Sequence, residues 1–291
     1  MSLKNIIHFQ NKLIDTGYDI TDRNAVVTAF LAINDMTNDD YVSTILLDGS
    51  PGTGKTFLAE KLAKIIDAEV LFFQFYRGAG KEEILYDLDI SKVIHGLNGK
   101  QMPNNFSDLC SLGVLPKAAE MSKTKKVVLV LDEFDKSHPS TDAFLLDFLQ
   151  YGRLSLPHIG EIKVNTSNLL VVLTKNDERD MSEPLLRRCR LVKMKFPDAS
   201  VETNLIKKSV PGAPIKLVKS LVTIANKLRK EDIIVSTPEL IRLLKDVLVL
   251  YEQREYDIIG ELIISTMSKF EESNLDSSNL SGIVKAILDE K

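Results

Sequence analysis

The sequence predicts an α/β fold, a parallel sheet sandwiched by helices, followed by a small all-helical domain. Three observations predict it. Short apolar runs alternate with segments of helical periodicity up to Pro197. A glycine-rich turn at Gly49–Thr56 joins an apolar run to a helix-forming one. Beyond Ser200 no convincing strand remains, and apolar residues recur at helical spacing.

The elements follow in order. Ile6 to Ile14 is amphipathic, and Val26, Val27, Phe30 and Leu31 predict a helix near Asn24–Ile33. Strands are expected at Thr44–Asp48, Glu69–Gln74, Val127–Leu131, Leu169–Thr174 and Leu191–Phe196, with helices between them at Thr56–Ile66 and Thr141–Gln150. Helices are then expected at Ile215–Arg229, Pro238–Tyr251, Asp257–Phe270 and Ser281–Asp289. Thr237-Pro238 reads as a helix start, threonine capping and proline at the first helical position. The expected domains are residues 1–199, an α/β nucleotide-binding domain, and 200–291, a helical lid.

The turn reads Gly49-Ser50-Pro51-Gly52-Thr53-Gly54-Lys55-Thr56, fitting the P-loop pattern Gly-x-x-x-x-Gly-Lys-Thr, with Phe57 opening the helix behind it. Glycines let successive backbone N–H groups converge on phosphate oxygens, and the helix adds its positive end. The pattern implies a bound polyphosphate with Mg²⁺, Lys55 on the β- and γ-phosphates and the Thr56 hydroxyl on the metal. The run from Val127 ends in Asp132-Glu133. Asp132 is the candidate for the Mg²⁺ shell and Glu133 for polarising the attacking water. Asn176 ends the next buried run, where ligands of parallel sheets bind; it reads as a partner of water or γ-phosphate, or as a turn asparagine. Arg187 and Arg188 read either as solvated surface or as an arginine finger acting on a neighbouring subunit's phosphate.

Composition excludes other classes. The net charge of −4 and a sequence pI near 5.7 oppose a general nucleic-acid binder. Two cysteines, Cys110 and Cys189, and four scattered histidines give neither a disulfide framework nor a metal motif. Both thiols read as inert, although the basic neighbours of Cys189 favour a lowered pKa. Met1–Asn5 has no signal-peptide core and no apolar run reaches membrane-spanning length, so a cytoplasmic protein without membrane partners is expected.

Together the P-loop, the strand ending Asp132-Glu133, the strand ending Asn176, Leu185-Leu186-Arg187-Arg188-Cys189 and the helical C-terminal region resemble, in that order, the AAA+ ATPases. Within them the chain resembles the MoxR group and its CoxD-like branch. The likeness rests on Phe73-Gln74-Phe75-Tyr76-Arg77-Gly78 with Ile84-Leu85-Tyr86-Asp87, on Leu149–Pro157 with Gly160-Glu161-Ile162, which looks like a pre-sensor-1 hairpin, and on Val171–Asn176 through Cys189. It covers roughly residues 15–255 and is similar throughout in motif order. It implies ATP hydrolysis at subunit interfaces of a ring, a hexamer, with Arg188 as the finger and Arg187 second. It also implies chaperone-like remodelling of a protein client, often with a von Willebrand factor A-domain partner. One departure stands out. AAA+ lids often begin a helix Ser-Pro-Arg, whose arginine is sensor 2; here Ser236-Thr237-Pro238-Glu239 puts Glu239 in its place, leaving sensor 2 unassigned. The competing readings are a nucleic-acid-directed motor, such as a restriction-system subunit, and a nucleotide switch without turnover.

Overall fold

Ser43–Asp48, Val127–Asp132 and Leu169–Lys175 each carry an apolar run and are buried until their last residue. Such strands are stable only where helices cover both faces of a sheet. A computed structural model describes residues 5–19, 22–37, 40–88, 110–156, 160–268 and 285. The chain divides into two compact units, Met1–Gly49 with Gly54–Met194, and Ser50–Thr53 with Lys195–Lys291.

In the first unit the strands, numbered in chain order, are β1 (Ser43–Asp48), β2 (Glu69–Gln74), β3 (Tyr86–Leu88), β4 (Cys110–Leu112), β5 (Val127–Asp132), β6 (Arg153–Leu156), β7 (Gly160–Lys163), β8 (Leu169–Lys175) and β9 (Arg190–Lys193). Five of them form a parallel sheet in the order β2-β5-β8-β1-β9, while β3–β4 and β6–β7 are antiparallel pairs. Strand alternation sorts the core into two layers. Leu46, Leu129, Leu131, Val171 and Leu173 face α5 (Val114–Ser122) and α6 (Ser140–Tyr151). Ile45, Leu47, Val128, Val130 and Val172 face α1 (Ile6–Asp15), α2 (Arg23–Asp35) and α3 (Lys55–Ile66). Short helices α4 (Lys81–Leu85) and α7 (Glu183–Leu186) complete the unit.

Strand β9 is shorter than the expected Leu191–Phe196. Its last ladder partner is Lys193 opposite Asp48, and Met194 N–H then bonds the Asp48 carbonyl. The approaching Pro197 lacks a donor with which to continue the ladder.

The second unit holds α8 (Ala199–Ser209), α9 (Ile215–Lys230), α10 (Thr237–Glu252) and α11 (Ile259–Ser268), packed on Leu221, Leu228, Leu243, Val247 and Ile263. Helix α8 has no counterpart in the sequence expectations. The expected helix Ser281–Asp289 and the end of Asp257–Phe270 lie outside the described residues, apart from helical Lys285. Ser236, not Thr237, caps α10: its hydroxyl accepts from Glu239 N–H at 3.3 Å. Thr237 instead spends its hydroxyl on Glu202 Oε1 at 2.7 Å. Glu239 Oε2 accepts from Ser236 N–H at 2.7 Å, which completes a capping box and gives the carboxylate a structural duty at the sensor-2 position.

Candidate functional site

The register of the sheet brings a row of polar groups to one edge. Gln74 lies opposite Asp132, Leu131 opposite Leu173, and Asp48 opposite both Lys175 and Lys193. These are the carboxyl ends of parallel strands, where open α/β sheets bind ligands.

The turn from β1 to α3 carries two glycines in the left-handed region, Gly52 at φ +79° and Gly54 at φ +90°, which side chains other than glycine seldom adopt. A Cβ on Gly49 would lie 2.3 Å from the Met194 carbonyl oxygen, so that position excludes any side chain. Thr53 donates to the Ser50 carbonyl at 2.8 Å. Phe57 points outward, half exposed, stacked on Tyr18 with centroids 6.0 Å apart and covered by Lys61.

Lys55 is buried at the start of α3. Its ammonium donates to the Gly49 carbonyl at 2.5 Å and to Asn176 Oδ1 at 2.6 Å. Burial pulls the Lys55 pKa below the ordinary lysine range, while the charges of Asp132, Asp135, Asp48 and Glu133 oppose that fall. The ammonium's named acceptors are neutral, which leaves its charge for a phosphate, while the nearby carboxylates suit the cation that accompanies one.

Asn176 joins Lys55 to the acidic end of β5, its Nδ2 donating to Glu133 Oε1 at 3.1 Å. Glu133 adopts φ +51°, uncommon for a non-glycine residue, and this turns its carboxylate off the strand axis. Gln74 Nε2 at 2.9 Å and Lys136 Nζ at 2.8 Å hold Glu133 Oε2. Burial pushes the Glu133 carboxyl up, but the bonds from Lys136 and Gln74 and the charges of Lys136 and Lys55 prevail and hold it below the usual range. A cleft of about 440 Å³, lined by Gln74, Tyr76, Arg77, Lys136 and Glu178, opens onto Glu133.

Thr56 and Asp132 meet, Oγ1 to Oδ1, at 3.3 Å. Both offer hard oxygen atoms, the ligands Mg²⁺ takes alongside phosphate and water. Among the described residues no cluster of three or more His, Cys, Asp or Glu could hold a metal alone. The donor set therefore fits a Mg²⁺ whose remaining ligands come from the nucleotide.

Other residues of the cluster had no part in the sequence expectations. Buried Thr174 donates to Asp132 Oδ1 at 2.7 Å and accepts from Glu133 N–H at 2.9 Å, locking the two acidic residues in register. A polar residue within the apolar run of β8 was its signal. Gln74 and Lys136 carried weaker ones, a strand-end amide and an i+3 spacing from Glu133. Asp135 accepts from Asn176 N–H.

The arginines stand apart from this cluster. Arg187 pairs with Glu183 at 2.5 Å on the surface, Arg188 donates to Gln150 Oε1 at 3.0 Å, and Arg190 is committed to Asp35 at 2.5 Å. Both Arg187 and Arg188 are exposed. Cys189 has the environment of the inert thiol expected of it, not of one lowered by basic neighbours: burial pushes its thiol up to about 12, and its Sγ donates to the Leu185 carbonyl at 3.3 Å. The adjacent arginines point away, so desolvation decides. His138 caps the turn before α6, its Nδ1 accepting from Ser140 N–H at 3.3 Å.

Comparison with known proteins gives this geometry a lineage. Residues 44–189, half of the chain, match the AAA domain (dynein-related subfamily). The chain is 26% identical over 183 residues to the Lon protease of Chlamydia trachomatis, covering 61% of this chain and 20% of that protein. It is 27% identical over 188 residues to Lon protease 2 of Borreliella burgdorferi, covering 62% and 22%. The chain thus spans about one fifth of the length of these curated relatives. Its fold is similar to that of a mutant of Thermotoga maritima RuvB, with a TM-score of 0.54 at 16% identity, covering 88% of this chain and 71% of that one. It is similarly close, at a TM-score of 0.52, to the Thermotoga maritima RuvB Holliday junction branch migration motor. At this identity the likeness speaks for the AAA+ fold alone.

Proposed function

This chain belongs to the AAA domain family, dynein-related subfamily, and from that premise we propose that it hydrolyses ATP to ADP and phosphate to drive remodelling of a protein client. One observation carries the reading: Lys55, Asn176 and Glu133 form a continuous hydrogen-bonded chain beside the Thr56–Asp132 pair. This arrangement at one end of one sheet supports reading Lys55 as a phosphate cation, Asn176 as a polar positioner, Glu133 as a carboxylate base, and Thr56 and Asp132 as metal ligands.

Lys55 neutralises the β- and γ-phosphate oxygens. Thr56 and Asp132 would hold Mg²⁺, which would supply positive charge for the phosphate oxygens. Glu133, kept anionic by Lys136 and Gln74, accepts the proton of the attacking water as the bond to the γ-phosphorus forms and the ADP oxygen leaves. Asn176 orients that water or the γ-phosphate through the amide that now bridges Lys55 and Glu133. Arg188, exposed and bonded to Gln150, completes the site of an adjacent subunit, with Arg187 as the second choice because Glu183 already engages it. Residues 1–199 are the nucleotide-binding domain and 200–291 the lid.

We assign the chain to the MoxR group, CoxD-like branch, working as a ring, a hexamer, with a von Willebrand factor A-domain partner. The likeness in Phe73–Asp87 and Leu149–Ile162 supports this assignment. The Lon proteases it matches are, by name, proteins that act on proteins, and the net charge of −4 favours a protein client over nucleic acid. Steady-state ATP turnover tests the core of the reading. Glu133→Gln keeps the side chain's shape but loses the base, so turnover should fall about 10²–10⁴-fold while ATP still binds. Undiminished turnover in that variant removes Glu133 from the mechanism. Stimulation of turnover by DNA but not by unfolded protein would replace the client reading with a nucleic-acid motor.

A further inference from the structure

Asp135 is the most deeply buried acidic residue beside the site, 2% exposed, and its carboxylate bonds backbone N–H groups of the turn after β8. It follows Glu133 by two residues in a single 3₁₀ turn, Phe134–Lys136. Its Oδ2 accepts two backbone hydrogen bonds, from Asn176 N–H and Glu178 N–H, both at 2.8 Å. Between those donors Asp177 sits at φ +66°, so the backbone turns sharply around the carboxylate. The far end of the same loop is pinned separately: Arg179 pairs with buried Asp142 at 2.6 Å, and Asp142 accepts from Ser182 N–H at 2.7 Å. Within the loop only Asn176 reaches both Lys55 and Glu133.

We propose that Asp135 is a positioning residue for Asn176, its buried carboxylate clamping the turn after β8 and thereby fixing where the Asn176 amide meets Lys55 and Glu133. The inference rests on the reading of Asn176 as part of an ATP-hydrolysing site. Two charge-assisted bonds to adjacent N–H groups are strong for their size, and they replace contacts the turn would otherwise make with water. Without them the turn is free to move, and small displacements of a positioning group are costly to reaction rate. The second oxygen, Oδ1, is buried and accepts nothing from the described residues. An amide oxygen can still serve both N–H groups, so Asp135→Asn keeps the clamp's geometry while it removes the charge and puts a donor in place of Oδ1.

The test combines two readouts on the full chain. In Asp135→Ala the amides of Asn176 and Glu178 should exchange hydrogen faster, while those of Arg179 and Ser182 should not. Its kcat should fall about tenfold to a hundredfold with ATP affinity within about threefold. Asp135→Asn should restore both the protection and most of kcat. In an Asn176→Ala background, adding Asp135→Ala should cost less than about threefold, because the group it positions is gone. If the two losses multiply instead, or the Asn176 and Glu178 amides exchange as in the parent, the proposal is overturned. If Asn176→Ala alone leaves turnover intact, the catalytic reading of Asn176 fails, and amide exchange still decides the clamp. Should Asp135→Ala not fold, Asp135→Ser, too short to reach both donors, supplies the same comparison.

Discussion

Glu133 shows how much one backbone angle decides. At φ +51° its carboxylate leaves the line of β5 and meets Asn176, Gln74 and Lys136 together. Lys136 and Gln74 hold its pKa down against burial, so the stability of this pairing is present above the unfolded carboxyl range and lost as pH falls through the lowered value. Lys136→Ala should therefore raise the Glu133 pKa and move the acid limb of the kcat–pH profile to higher pH; an unmoved limb would separate Lys136 from the base. Cys189 makes the opposite case. Its thiol is pushed from 9.0 to about 12, so its burial stabilises the fold fully below pH 9 and that contribution is lost as pH rises toward 12. In a Cys110→Ser background, iodoacetamide at pH 8 should label Cys189 only at the rate of unfolding. Rapid labelling of the native chain would mean that the thiol is neither buried nor raised.

Elements of the second unit are joined by a buried charge network. Glu202 on α8 is fully buried and pairs with Arg229 on α9, with both oxygens engaged at 2.8 Å. Arg229 also donates to the Val235 carbonyl, and Thr237 donates to Glu202. Phe196 covers the guanidinium at 4.0 Å. The network thus fixes the chain entering α10, where Ser236 and Glu239 close their capping box. Arg229→Met should cost the helical unit about 3–5 kcal/mol, because it strands Glu202 as an unpaired buried charge. Replacing both residues by methionine should cost less than the single change, as urea titration of the full chain can measure. A smaller loss for the single variant would mean that water reaches Glu202.

At the scale of the molecule, Arg77 lines the cleft at Glu133 but pairs with Glu178 at 2.9 Å, and the two candidate finger arginines sit elsewhere on the same unit. The proposed remedy is a neighbouring copy, and mixing tests it. Arg188→Ala and Lys55→Ala should each lose about 10³-fold or more in turnover. Mixed, an intact P-loop from the first meets an intact Arg188 from the second, so part of the activity should return once light scattering confirms subunit exchange. If only Arg187→Ala with Lys55→Ala recovers, the finger is Arg187. If mixed rings form and neither pair recovers, the trans-acting site is wrong.

The sheet was legible because a buried parallel strand leaves an unbroken apolar run, as Val127–Leu131 and Leu169–Leu173 do. The P-loop was legible because phosphate binding demands glycine at fixed spacing. Helix α8 was not legible, since its buried face is Glu202 and Thr203 as well as Ile206, and polar residues break the apolar period. A partner 27 residues away, Arg229, makes that burial tolerable, and local pattern carries no trace of it. The same reason hid Thr174, Gln74, Lys136 and Asp135. The sequence by itself determined which residues have the chemistry for phosphate and metal. Only the tertiary structure decided which polar groups aim them, because hydrogen bonds between strand ends depend on the register of a parallel sheet and not on neighbours along the chain.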